Sequence, residues 1–252
     1  MFATLSLRRS TFIVGAAMVL LPLGATASAQ FDPASARASI GGSGGQGLLF
    51  SFSGGMTLPT GEMHRTDATD LDEPTDGVDA DLRFEGSIGP AFMLGIGMQL
   101  DSGMQLGLEG SFIGHNFNEE DVTYNSTEYE SDASANSLGA MITTAYQVDL
   151  NSQFSVTPMV GLGFFRNTGS GEIKSGTTTQ EYDEHTRYGL GYAFGLGVDV
   201  AMSDRSNVSF SYRYQSSGDA SSGHLDGTST GDVLNFGTLT AHQGSIQASF
   251  GF

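Results

Sequence analysis

Strict alternation runs through the chain. Between residues 82 and 100, Leu82, Phe84, Ile88, Phe92, Leu94, Ile96, Met98 and Leu100 share one set of alternate positions. Arg83, Glu85, Ser87, Gly89, Ala91, Gly95, Gly97 and Gln99 fall between them. A period of two is the mark of an extended strand whose two faces meet different surroundings. Here one face is bulky and apolar, and the other is small or polar. The same split recurs over 50–58, 104–112, 138–150, 154–164, 188–200, 208–214 and 246–252, which makes eight expected strands.

The spacing between these strands alternates as well. Short connections fall at Asp101–Gly103, Asn151–Ser152 and around Asp204–Asn207, with hairpin-turn compositions. Long ones fall near 59–81, 115–136, 166–187 and 215–235. All short turns therefore lie at one end and all long loops at the other. This predicts an all-β chain: an eight-stranded antiparallel transmembrane β-barrel of up-and-down topology.

Composition decides which face points outward. A soluble barrel would carry its Leu/Phe face inward and need Lys, Glu and Thr on the other. That other face is instead mostly Gly, Ser, Ala and Gln, with 36 Gly in all and only 15% charged residues. Small residues suit the narrow lumen of an eight-stranded barrel. The apolar face is then expected to meet lipid. Zero Cys removes disulfide scaffolds and thiolate chemistry, and a net charge of -18 argues against nucleic acid as a partner.

Residues 1–29 have the form of a cleaved signal peptide. Arg8 and Arg9 precede an apolar run from Phe12 to Leu21, and Ala27-Ser28-Ala29 is the small-x-small cleavage pattern. Pro22 and Gly24 interrupt the run before the ~20 residues of a membrane anchor. Residues 30–45 are expected to be a flexible periplasmic leader, and 46–252 the barrel.

With these strands, this signal peptide and the ending Ile246-x-Ala248-x-Phe250-x-Phe252, the chain resembles the small outer-membrane barrel proteins of Gram-negative bacteria. The nearest types are the OmpA transmembrane domain, OmpX and the opacity-type surface antigens. The resemblance implies a bacterial outer-membrane location and a monomer in lipid that includes lipopolysaccharide. It implies that Phe250 and Phe252 form the signal read by the barrel-assembly machinery. No peptidoglycan-binding domain is expected after Phe252.

Four inward charges, Arg83, Glu85, Glu109 and Arg213, are expected to form a network plugging the lumen. OmpA-type lumens resemble this. Asp149 and Asp199 are expected near the opposite mouth, solvated. Most of the 28 acidic residues fall in the long loops, such as the run Asp67, Asp70, Asp72, Glu73, Asp76, Asp79, Asp81. No EF-hand spacing accompanies them, so a solvated, self-repelling loop is the expectation. None of the five His begins a His-x-Ser pair of the lipid A deacylase type. No catalytic, cofactor or metal residues are expected.

Three function classes follow. The first is a structural or surface-interaction role through four long acidic extracellular loops, with an extracellular partner. The second is a narrow porin-like channel for small solutes. The third is a lipid-active enzyme, for which no catalytic pattern is present.

Overall fold

The computed structural model describes residues 47–68, 83–100, 103–124, 127–203, 205–226 and 231–252. The signal peptide, the leader and the acidic run from Asp70 to Asp81 lie outside them. The strands are β1 (Gly47–Pro59), β2 (Glu62–Ala68), β3 (Arg83–Glu85), β4 (Gly89–Gln99), β5 (Met104–Tyr124) and β6 (Thr127–Tyr146). They continue with β7 (Val148–Asp149), β8 (Phe154–Ser175), β9 (Thr178–Ser203), β10 (Ser206–His224) and β11 (Gly231–Gly251).

Every pairing is antiparallel, and the hydrogen-bonded circuit closes. Phe50 of β1 lies between Ile96 of β4 and Phe250 of β11. The ring runs β1, β4, β5, β6, β8, β9, β10, β11 and back to β1. The short strands β2 and β3 extend the sheet beyond β11, and β7 pairs with β8. Closure is what lets strands cross lipid, because it leaves no row of backbone N–H and C=O groups without partners.

The apolar set faces outward. Leu94, Leu162 and Leu190 are 70%, 72% and 80% exposed, while inward Ala193 is 2% exposed. This band is bounded by aromatic rims. Near the short turns, Phe252 meets Phe50 edge-on at 5.7 Å and Phe250 stacks on Phe52 at 6.4 Å. At the other rim, Tyr188 stacks on Phe164 at 6.0 Å, and Tyr214 touches Phe194 and His242. Amphipathic rings belong at such lipid–water boundaries. The lumen is lined by small residues because little else fits. A Cβ on Gly139 would come within 2.2 Å of the Phe165 ring, and one on Gly191 within 2.5 Å.

Three of the expected long loops take a different form. Most of 115–136, 166–187 and 215–235 continues the strands, and β8 and β9 are joined by only Gly176 and Thr177, with Gly176 at φ +59°. Beyond the upper rim the sidedness inverts. Met63, Phe84, Phe117, Ile173, Tyr182, Leu234, Phe236 and Leu239 form a buried cluster inside. The outer face there is polar, as at Asn118, Asp132 and Glu184. The solvent on the outside has changed from lipid to water, so the apolar residues move in.

The ring also opens at this level. The β9–β10 ladder stops at Tyr192–Ser216, and the only bridge beyond it among the described residues is Tyr182–Leu225. The β4–β5 ladder stops at Ala91–Ile113, followed only by the Ser87–Asn116 bridge among the described residues. Two walls result, β5-β6-β8-β9 and β10-β11-β2-β3, with Phe117 and Phe236 in contact between them at 5.3 Å. Register shifts in β9, β10 and β11 set this up. Between Gly169 and Gly171 the partner residues step from His185 to Tyr182, which turns Tyr182 inward.

Leu162→Arg places a charge in the apolar band and is expected to cost about 2–4 kcal/mol. Thr168→Arg, on the same outward set of β8 but above Phe164, is expected to cost almost nothing. Urea unfolding of the barrel refolded in lipid vesicles distinguishes the two. Equal costs would contradict the placement of the rim at Phe164.

Candidate functional site in the barrel lumen

The lumen is built in layers. At the short-turn mouth, Gln99 Nε2 donates to Gln147 Oε1 at 3.1 Å, and Gln147 Nε2 donates to Asp149 at 3.1 Å and to Ser155 Oγ at 3.2 Å. Asp149 is exposed, but Asp199, also expected to be solvated, is not. Asp199 is only 9% exposed and accepts hydrogen bonds from the hydroxyls of Thr157 and Ser209. Its ladder partners on β8 and β10 are Ser155 and Ser209, so hydroxyls replace the water it would otherwise require.

Higher up, Arg213 and Glu109 meet across the lumen. Arg213 Nη1 donates to Glu109 Oε1 at 2.5 Å and Nη2 to Oε2 at 2.9 Å, a two-pronged pair with both side chains mostly buried. Each sits opposite a glycine on a neighbouring strand, Gly195 for Arg213 and Gly95 for Glu109, which leaves room for the crossing.

Arg83 and Glu85 are elsewhere, and this corrects the four-residue network. They lie on β3, which pairs with β2 and not with the ring, and both are exposed. Arg83 Nη1 donates to Glu62 at 3.3 Å. The alternation from residue 82 to 100 reads as one strand, but the chain leaves the ladder at 86–88 and is held there by the Ser87–Asn116 bridge and by Asn116 Nδ2 donating to Ile88 O at 2.9 Å.

Above the ion pair, Met141, Phe165 and Ala193 form a small apolar cluster. A buried polar layer follows. Asn167 Nδ2 donates to the carbonyls of Ser217 at 2.7 Å and Asp219 at 3.1 Å, and the Ser137 and Ser217 hydroxyls bond at 2.8 Å. His115 lies above the rim, level with Ala135 and Gly169 on the neighbouring strands. It is buried with neither ring nitrogen hydrogen-bonded. Burial pushes its pKa down from 6.5 to about 4. The apolar cluster between the two walls caps the whole stack.

Phe252 stands on the outside at the short-turn rim, 77% exposed, and its N–H donates to Leu48 O at 3.0 Å. The residues that sequence reading misses are Asp199 with its two hydroxyls, His115 and Phe165. Only Phe165 carries a signal, an aromatic residue following Gly161 and Gly163 on the inward set of β8.

A closed antiparallel ring with an apolar exterior and a polar, small-residue lumen defines a transmembrane β-barrel. The chain belongs to the outer membrane protein beta-barrel domain family, whose profile matches residues 14–252, and it is a bacterial outer-membrane protein. Solved structures with a similar fold include Neisserial surface protein A, with 14% identity over 81% of this chain and 97% of that one, at a TM-score of 0.40. OprG from Pseudomonas aeruginosa matches with 12% identity over 81% and 96%, at 0.45. A major outer membrane protein from Thermus thermophilus matches with 10% identity over 81% and 99%, at 0.49. No curated protein sequence matches the chain.

Glu109→Ala leaves the Arg213 guanidinium buried without its partner, with an expected loss of about 3–5 kcal/mol. Pairing it with Arg213→Leu is expected to recover most of that loss. Additive losses in the double-mutant cycle would remove the coupling.

His115 binds its proton in the unfolded chain before it does so in the fold. Stability is therefore expected to fall as pH drops from 6.5 toward 4, by on the order of 3 kcal/mol, and then level off. His115→Leu is expected to abolish that portion of the slope. Unfolding midpoints of both proteins across this range provide the check.

Proposed function

We propose that this protein is a non-conducting outer-membrane barrel with a structural or surface-interaction role. The observation that carries this reading is the layered lumen. A solute entering from the short-turn mouth meets the Arg213–Glu109 pair, then Met141 and Phe165, then the apolar cluster around Phe117 and Phe236. One layer is an ion pair and two are apolar, and all three would have to open for a path to form.

The upper hairpins are the part that partners outside the cell would meet. They carry an outward row of carboxylates, with Asp132 opposite Glu172 and Glu172 opposite Glu181. This supports the reading of acidic extracellular elements, held on rigid walls in place of flexible loops. The rim around Tyr188, Tyr192, Tyr214 and His242 suits lipid headgroups and the sugars of lipopolysaccharide. Exposed Phe252, closing an alternating strand, supports handling by the barrel-assembly machinery. No catalytic role is assigned to the lumen.

A narrow channel is the second reading, favoured by the open space below the Arg213–Glu109 pair. Planar-bilayer recording of the refolded protein separates the two. A folded barrel without discrete current steps is expected. Reproducible steps that change on Glu109→Gln would overturn the closed reading.

A further inference from the structure

His115 sits where the two upper walls face each other. It is on the inward set of β5, level with Ala135 of β6 and Gly169 of β8. A Cβ on Gly169 would lie 2.5 Å from the Phe236 ring and 2.8 Å from Ser221 O, so β10 and β11 pack against this row. Two residues further along β5, Phe117 meets Phe236 at 5.3 Å. Both ring nitrogens of His115 are shielded from water and unbonded. A neutral imidazole leaves one N–H and one lone pair unmatched there. An imidazolium would leave two N–H groups and a full charge unmatched, which costs more.

The surroundings offer that charge no counter-ion. Among the described residues, β4, β6 and β8 place no charged side chain on the inward set above the rim; Asp132, Glu172 and Lys174 belong to the outward set. On β9, His185 and Arg187 stand opposite Gly169 and Asn167 in the ladder, and both add positive charge. On β10, Asp219 is exposed and accepts from Thr238 Oγ1 at 2.6 Å, and His224 lies at the far end of the strand. Asp232 of β11 is taken by Arg65 of β2, whose Nε donates to it at 2.9 Å.

The walls are built so that they can part. At the level of His115 and above, they touch through isolated points: the Ser87–Asn116 and Tyr182–Leu225 bridges, and Arg65 Nη1 donating to Gln180 Oε1 at 3.3 Å. Beneath, Asn167 clamps β8 to the Ser217 and Asp219 carbonyls of β10, and the β9–β10 ladder runs without a break from Tyr192–Ser216 to Ala201–Asn207. Separation therefore stops at the Asn167 layer, and the Arg213–Glu109 pair stays in place.

We infer that the two upper walls form an acid-released cap: a proton taken up by His115 parts them, while the spanning ring below stays closed. The device is a two-state element biased by one buried imidazole. Burial holds the closed-state pKa at about 4, against 6.5 for the ring in water. Acid thus favours the open form as pH falls from 6.5 toward 4. The open-to-closed ratio is expected to rise by up to about 300-fold, tenfold for each unit of that difference.

The test is NMR-detected amide exchange in the refolded mature barrel, corrected for the intrinsic pH dependence of exchange. The Ser87 and Asp226 N–H groups donate across the gap to Asn116 O at 2.7 Å and Glu181 O at 2.8 Å, so they report parting of the walls. Gly163, in the β6–β8 ladder of the spanning ring, is the control. Protection at Ser87 and Asp226 is expected to fall between pH 6.5 and 4 while that at Gly163 holds. In His115→Leu both reporters are expected to stay protected. The ring carbon shifts of His115 in the unaltered protein are followed in parallel, and they decide the matter if His115→Leu does not fold. Constant protection at the two reporters, an equal fall at Gly163, the same fall in folded His115→Leu, or a His115 ring that stays neutral while protection falls overturns the cap.

Discussion

Backbone hydrogen bonding in a medium without water is the constraint on which everything else rests. Lipid offers no donors or acceptors, so each N–H and C=O in the spanning segments must find its partner within the protein. The pairing of β1 with both β4 and β11 achieves this, down to Phe50 held between Ile96 and Phe250. Once the ring closes at this size, its interior is narrow. The lumen must then be built from Gly, Ser, Thr and Gln. A ring as large as Phe165 is admitted only where Gly139 and Gly191 make space.

The second organising fact is the change of solvent along the barrel axis. Within the band, the favourable place for Leu, Phe and Ile is outside, against lipid. Above Phe164 and Tyr188 it is inside, and the chain responds with a core of its own between two walls. That core closes the lumen from above while the Arg213–Glu109 pair closes it from below. The chain therefore has a walled platform with a polar outer face beyond one rim and a polar lumen toward the short turns at the other.

Much of this architecture is legible in the amino-acid sequence. The spanning strands stand out because lipid outside and a tight lumen inside impose the same alternation on each of them. Glu109 and Arg213 stand out because a charge on the inward set has few tolerable surroundings. The upper strands do not stand out. Between two water-exposed walls the period slips at bulges such as that between Tyr182 and His185, and outward residues are as polar as those of a loop. Arg83 and Glu85 mislead for the opposite reason, since alternation persists across 82–100 where the ladder does not. Asp199 is equally deceptive, because an acid near a strand end has no signature that distinguishes solvent from the hydroxyls of Thr157 and Ser209.

Side-chain size and polarity at period two are local properties, and they alone assign the environment of each face. They say which residues meet lipid, which line the interior, and that the strands must close on themselves. Which inward residues meet is a property of the assembled barrel. Arg213 reaches Glu109 across the ring, 104 positions away in the chain, while Arg83 finds Glu62 on a neighbouring short strand. Those pairings depend on shear, bulges and the points where ladders stop, all of which arise from many strands packing at once.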